Sequence, residues 1–150
     1  MSDNTVATHD VTEDFKVRVH IEAHEPRADD PHYHVFNATR DRMKKEGKLV
    51  CWRCAKADSP AEHVELHHFH IEYSLANDCD WQKVAAAFPE ANITSVDGFL
   101  DWVNTEANML PLCVTCHRGT QGIHEIPYPL WTAQKYAKDG ETVADVVKSK

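Results

Sequence analysis

Two Cys-x-x-Cys pairs, Cys51-Trp-Arg-Cys54 and Cys113-Val-Thr-Cys116, constrain this chain more than anything else in it. Each spacing lets two sulfurs grip one ion from a tight turn, and together they supply four thiolates for a closed tetrahedral zinc site. The rival readings are two unrelated pairs of buried cysteines or a redox dithiol. A disulfide framework fits poorly, because the five cysteines are odd in number and fall in pairs of ligand spacing. Cys79 is left over and reads as a small hydrophobe. A four-sulfur site keeps no open coordination position. It holds a fold together, and any chemistry has to lie elsewhere.

With 150 residues, of which 42% are hydrophobic and 27% charged, the chain has the means for one core of ordinary globular make-up. No apolar run approaches the ~18 residues of a membrane helix, and Met1–Asp10 is polar and acidic, unlike a secretory signal. A cytoplasmic protein without membrane contact is expected. The net charge of −8 speaks against indiscriminate nucleic-acid binding. Its distribution is uneven: residues 40–56 hold seven basic and two acidic side chains, residues 57–116 one and ten. The basic block is Arg40, Arg42, Lys44, Lys45, Lys48, Arg53 and Lys56, and it runs into the first cysteine pair. By itself such a run reads as a solvated helix face.

Residues 1–14 lack periodicity and read as a flexible acidic tail, leaving 15–150 as one domain. Phe15, Val17, Val19 and Ile21 alternate with polar residues, which predicts an N-terminal strand. A helix is expected from Val35 to Glu46 with Gly47 as its C-cap, a short knuckle at Leu49–Ala55, and a strand from Val64 to Tyr73. Helices follow over Trp81–Phe88 and from a Ser95 cap to Val103. Residues 108–118 read as a turn opening a helix that Gly119 and Gly122 cut short. A helical C-terminal part, 129–148, comprises one helix from Pro129 to Lys138 and another from Thr142 to Lys148. The fold class is α+β, mostly helical. Trp52, Trp81, Trp102 and Trp131 read as core.

Between and after the cysteine pairs stand Glu65-Leu66-His67-His68, Asn108 and His117. On its own a strand histidine pair reads as exposed, and an asparagine before a turn as a turn residue. In this order and company, residues 49–118 resemble the HNH endonuclease family with a four-cysteine zinc clamp. The resemblance implies a zinc-stapled ββα-metal (His-Me finger) core, in which a two-stranded ribbon and a short helix grip one divalent ion and hydrolyse a phosphodiester. It implies His68 as general base and His67 with His117 as ligands of a catalytic Mg²⁺, Mn²⁺, Ni²⁺ or Zn²⁺. Cys51, Cys54, Cys113 and Cys116 are then the structural zinc ligands. Asn108 would tie loop to strand and orient His68, or add a ligand; Asn104 competes for that place but lacks the family spacing from Cys113. The chemistry is coherent: neutral imidazole is available near pH 7 to take a proton from water, and an ion can absorb charge on the phosphate.

The expectation is therefore a metal-dependent DNA endonuclease or nickase, a hydrolase acting on double-stranded DNA held through the 40–56 block. Small free-standing proteins resembling it are carried by bacteriophages, which would set this one in a bacterial cytoplasm, with phage packaging or replication proteins as further partners. The rivals are a non-catalytic zinc-knuckle module binding nucleic acid or protein, and an RNase or structure-specific nuclease. The long acidic stretch between His68 and Asn108 is an insertion relative to a minimal motif, expected to face away from DNA or to regulate access. His124 is read as a loop histidine ahead of a further ligand, and His63 and His70 as surface residues.

Overall fold

A computed structural model describes residues 5–13, 17–24, 26 and 29–147. The chain is α+β. Among the described residues the α-helices are α1 (Tyr33–Lys45), α2 (Trp81–Ala87), α3 (Val96–Val103), α4 (Val114–Arg118) and α5 (Tyr128–Lys135), and the strands are β1 (Val64–His68) and β2 (Met109–Cys113). Short 3-10 helices occupy Tyr73–Asp78, Pro89–Ala91 and Glu106–Asn108.

The strands form one antiparallel ribbon in which Val64 faces Cys113, Leu66 faces Pro111 and His68 faces Met109. Because side chains alternate along a strand, the ribbon has two faces of different use. Val64, Leu66 and Met109 pack with Met43, Leu49 and Phe36, so α1 covers that side. Leu110 and Leu112 point the other way, into a core with Cys51, Cys113, Cys116, Ile126 and Trp131. A third cluster, Ala76, Val84, Ile93, Phe99, Trp102 and Val103, holds α2 and α3 together. The acidic insertion is thus a small helical unit with its own apolar centre.

Local chemistry accounts for the element ends. The Asp80 side chain accepts from the Gln82 N–H and Ser95 from the Gly98 N–H, capping α2 and α3. Helix α1 ends where Gly47 turns to φ +69° and the Lys48 N–H reaches back to the Met43 carbonyl at 2.8 Å, a left-handed stop that glycine adopts without strain. The basic residues Arg42, Lys44 and Lys45 in its last turn face the negative end of the helix dipole.

Several expected elements differ. Residues 17–21 form no strand: Val17 is 79% exposed, and the neighbouring backbone is tied instead by Asn77 Nδ2 donating to the Ala23 carbonyl and the Glu22 N–H to Asp78. Alternation makes a strand only where one face is covered and a ladder is available, and this segment meets neither condition. Phe15 lies outside the described residues, as do parts of the acidic tail. Strand β1 stops at His68 rather than Tyr73, where Asn108 takes the backbone N–H groups that a ladder would have used. The stretch read as a turn into a helix is strand β2 followed by the five-residue α4. Helix α5 ends at Lys135, and residues 141–147 are not helical; Gln134 and Gln121 side chains accept from the Val143 and Val146 N–H groups. Lys148 lies outside the described residues. Among the described residues no helix is long and apolar enough to cross a membrane.

Candidate metal centres

The knuckle at residues 50–57 is closed by backbone bonds, with the Ala55 N–H on the Cys51 carbonyl, the Cys51 N–H on the Lys56 carbonyl, and a Val50–Ala57 bridge. The Trp52 N–H then docks on the Pro111 carbonyl at 2.8 Å, hanging the knuckle on the outer edge of β2. This brings Cys51 and Cys54 to Cys113, at the end of β2, and Cys116, inside α4. All four sulfurs lie within 4.8 Å of one another. Cys54 and Cys113 are 3.6 Å apart, against the ~3.8 Å that tetrahedral Zn–S bonds of ~2.3 Å would set. The donor set fits structural zinc.

Electrostatics point the same way. The Cys116 S–H donating to Cys51 holds the Cys51 thiol down to about 4, and Cys116 is pushed up in return. The Arg53 guanidinium donates to the Cys116 sulfur at 3.7 Å and to the Trp131 carbonyl, and Trp131 Nε1 donates to the Cys116 carbonyl at 3.0 Å. Trp131 is fully buried and stacks on Trp52.

A second cluster forms on the Leu110/Leu112 side of the ribbon. His67 projects from β1, His117 from α4 and His124 from the following turn, and their nitrogens lie within 4.8 Å of one another. His117 Nε2 and His124 Nε2 are 2.9 Å apart. Two imidazole nitrogens that close either share a proton or converge on one cation, for which Zn–N bonds of ~2.0–2.1 Å would set ~3.3 Å. Glu65 accepts from His117 Nδ1 at 3.0 Å, which fixes the tautomer and leaves the Nε2 lone pair facing the cluster. The same carboxylate pairs with Arg118 at 2.8 Å. Burial pushes Glu65 up, but the bonds from His117 and Arg118 outweigh it and hold the group ionised. Burial, then the neighbouring histidines, drives His67 down to about 3, and burial likewise lowers His117. Three imidazoles clustered in this way are a metal-binding set.

His124 is the member that the sequence reading set aside as a loop histidine. The glycines bring it in. A Cβ on Gly119 would come 2.6 Å from the Thr115 carbonyl oxygen, and one on Gly122 would come 2.7 Å from that of His117. Without them the chain folds straight back over α4, with the Ile123 N–H on Cys116 and the His124 N–H on His117. The signal was present: a Gly-x-x-Gly return immediately after a candidate ligand.

His68 lies outside the trio. As the next residue on β1 it faces the α1 side, where it is buried, stacks on Phe36 and packs near Tyr73. Asn104 Oδ1 is 2.9 Å from His68 Nε2. Asn108 is fully buried and spends its amide elsewhere: Oδ1 accepts from the His70 and Ile71 N–H groups, and Nδ2 donates to the Val103 and Ile71 carbonyls. These bonds tie the loop to the strand, and none of them goes to His68 or the trio. His63 and His70 are exposed.

The basic block divides. Arg40 pairs with Asp58, Lys48 with Glu46 and Glu106, Lys56 with Glu62, and Arg53 serves the cysteine cluster. Arg42, Lys44 and Lys45 form no ion pair among the described residues. They sit on α1, across the ribbon from the histidine trio. Comparison of the chain with family models, curated proteins and solved structures finds no match.

Proposed function

We propose that this chain is a metal-dependent DNA endonuclease or nickase of HNH type. The observation that carries the reading is the three-histidine cluster built on a two-stranded ribbon and a short helix, beside a separate four-cysteine cluster. His67, His117 and His124 would hold one divalent ion, which when bound supplies Lewis acidity to phosphate oxygens. As the resemblance implies, His68, next along β1 from His67 and on the α1 side of the ribbon, would take a proton from water as the water oxygen bonds to phosphorus and the ester phosphorus–oxygen bond breaks, the leaving oxygen taking its proton from solvent. Glu65 keeps His117 in its ligating tautomer and holds Arg118 beside the cluster, a cation for a phosphate to meet. Arg42, Lys44 and Lys45 offer the charge for duplex DNA.

Nicking of supercoiled plasmid by zinc-loaded protein, titrated with Mg²⁺, Mn²⁺, Ni²⁺ and Zn²⁺, tests this. Cleavage that needs one of these ions and vanishes in the double variant His67→Ala/His117→Ala supports the reading. No cleavage of plasmid, branched DNA or RNA with any ion sinks it. The internal pairing of much of the basic block favours the second reading, a non-catalytic zinc-knuckle module, which predicts binding without cleavage.

A further inference from the structure

Past the end of β1 the chain enters a row of aromatic rings that neither metal centre uses. The Phe69 N–H still pairs with the Asn108 carbonyl at 2.8 Å, so the pleat carries on for one residue beyond His68. Phe69 therefore shares the face of His67, about 6.5 Å further along the chain, and packs against the core that holds Leu110, Leu112 and Trp131. Tyr128, which opens α5, meets Phe69 with ring centroids 5.1 Å apart; His70 meets Phe69 at 4.8 Å, and Phe88 meets His70 at 5.0 Å. These rings are inclined to one another by 62°, 61° and 54°, so the row is faceted and not stacked upon itself. Trp131 backs Tyr128 at one end and Trp102 backs Phe88 at the other, which anchors the row in both cores. Tyr128 is 43% exposed, His70 is exposed, and Phe69 and Phe88 are half-buried.

Charge narrows what this surface can take. Residues 57–116, which supply three of the four rings, carry one basic and ten acidic side chains, a poor seat for the two phosphate rails of a duplex. At the trio end stands one cation, Arg118, held by Glu65. A single cation followed by ring faces suits one phosphate followed by bases, with affinity drawn from stacking instead of phosphate neutralisation. Paired bases are already stacked on each other and cannot reach such rings; unpaired ones can. Resting on the nuclease reading, we propose that Tyr128, Phe69, His70 and Phe88 form a stacking platform for unpaired bases, so that the strand cut at the trio is single-stranded DNA at a bubble, flap or gap. Arg42, Lys44 and Lys45, across the ribbon, remain for a paired flank.

The test gives full-length, zinc-loaded protein three labelled oligonucleotides: one strand alone, the same strand fully paired, and the same strand within a bubble. Binding is read by fluorescence anisotropy without added divalent ion, and cleavage separately with Mg²⁺, Mn²⁺, Ni²⁺ and Zn²⁺. The strand and the bubble should bind, and be cut, at least about tenfold better than the duplex. Tyr128→Ala and His70→Ala, both at exposed positions, should each weaken strand binding by roughly 5–100-fold and leave divalent-ion affinity within about twofold of the parent. Tyr128→Phe and His70→Tyr keep a ring and should recover the loss. Abasic strands should bind the parent more weakly and the Tyr128→Ala/His70→Ala double variant no worse than intact ones. A parent that binds duplex as tightly as the strand overturns the proposal, as does a folded double variant with parental strand affinity; either result leaves the nuclease reading to its own cleavage test. Preference for single-stranded RNA over DNA of the same sequence overturns the assignment to DNA. Ring-dependent binding of unpaired DNA with no cleavage under any ion supports the platform and overturns the nuclease reading alone.

Discussion

His67 and His68 are consecutive, yet the pleat sends one imidazole to the histidine cluster and the next to Asn104, so the two should fail differently. His67→Ala and His117→Ala should weaken divalent-ion binding and regain activity at excess metal, with His124→Ala behaving as they do. His68→Ala should keep the ion and lose ~10²–10⁴-fold in cleavage rate. Calorimetric metal binding beside a metal titration of the rate separates the two groups; a His124→Ala variant with parental affinity would remove that residue from the ligand set. The sign of the pH effect follows from burial. His67 is held near 3 in the fold against ~6.5 in the unfolded chain, so its contribution to stability is whole above about 6.5 and is lost as pH falls towards 3. Between pH 7 and 5 the parent should lose more stability than His67→Gln, measured as the difference in urea midpoint. Ala55 makes a simpler case. It closes the first knuckle at φ +66°, where a Cβ costs about 1–2 kcal/mol. Ala55→Gly should raise stability by about 0.5–1 kcal/mol, read from chemical denaturation with zinc bound.

At the level of elements, the turn after α4 decides how many ligands the histidine cluster has. Gly122→Ala would drive a methyl into the His117 carbonyl, costing about 1–3 kcal/mol and displacing His124; weaker metal binding with retained zinc is the expected result. Neutralising Arg42, Lys44 and Lys45 together should flatten the salt dependence of DNA binding and leave the melting temperature nearly unchanged. An unchanged slope would move the DNA surface to the trio's side of the ribbon. Elements with caps and strong apolar sides were legible in the sequence: α1 with Gly47, α2, and α3 behind Ser95. The two Cys-x-x-Cys pairs were legible because the spacing within each is a local property, whereas His67 and His117, far apart in sequence, were singled out only by the resemblance. What was not legible depended on partners far along the chain. Residues 17–21 alternate as a strand does but find no ladder. Asn104 and Asn108 are both asparagines before a turn, and only the packing of α3 against α1 shows which one faces His68. His124 was set aside although the Gly-x-x-Gly return after His117, the signal that brings it in, was there to be read.

For the molecule as a whole, the cysteine cluster adds to the Trp52–Pro111 backbone bond that hangs the 50–57 knuckle on β2 and extends the link to α4. Cys51→Ser should therefore release zinc and unfold the domain together, as expected where metal binding is worth ~10–16 kcal/mol; retention of both zinc and melting temperature would rule out the clamp. One further consequence lies in α4, where Cys116 and His117 are neighbours. A single peptide bond joins the two centres, and the exposed Cys54 is the sulfur that reagents reach first. Chelation should accordingly run on two clocks. A fast phase strips the histidine cluster and reverses on adding a divalent ion. A slow phase begins at Cys54, drains the sulfur cluster, and dismantles by way of β2 and α4 a histidine centre that the chelator is no longer touching.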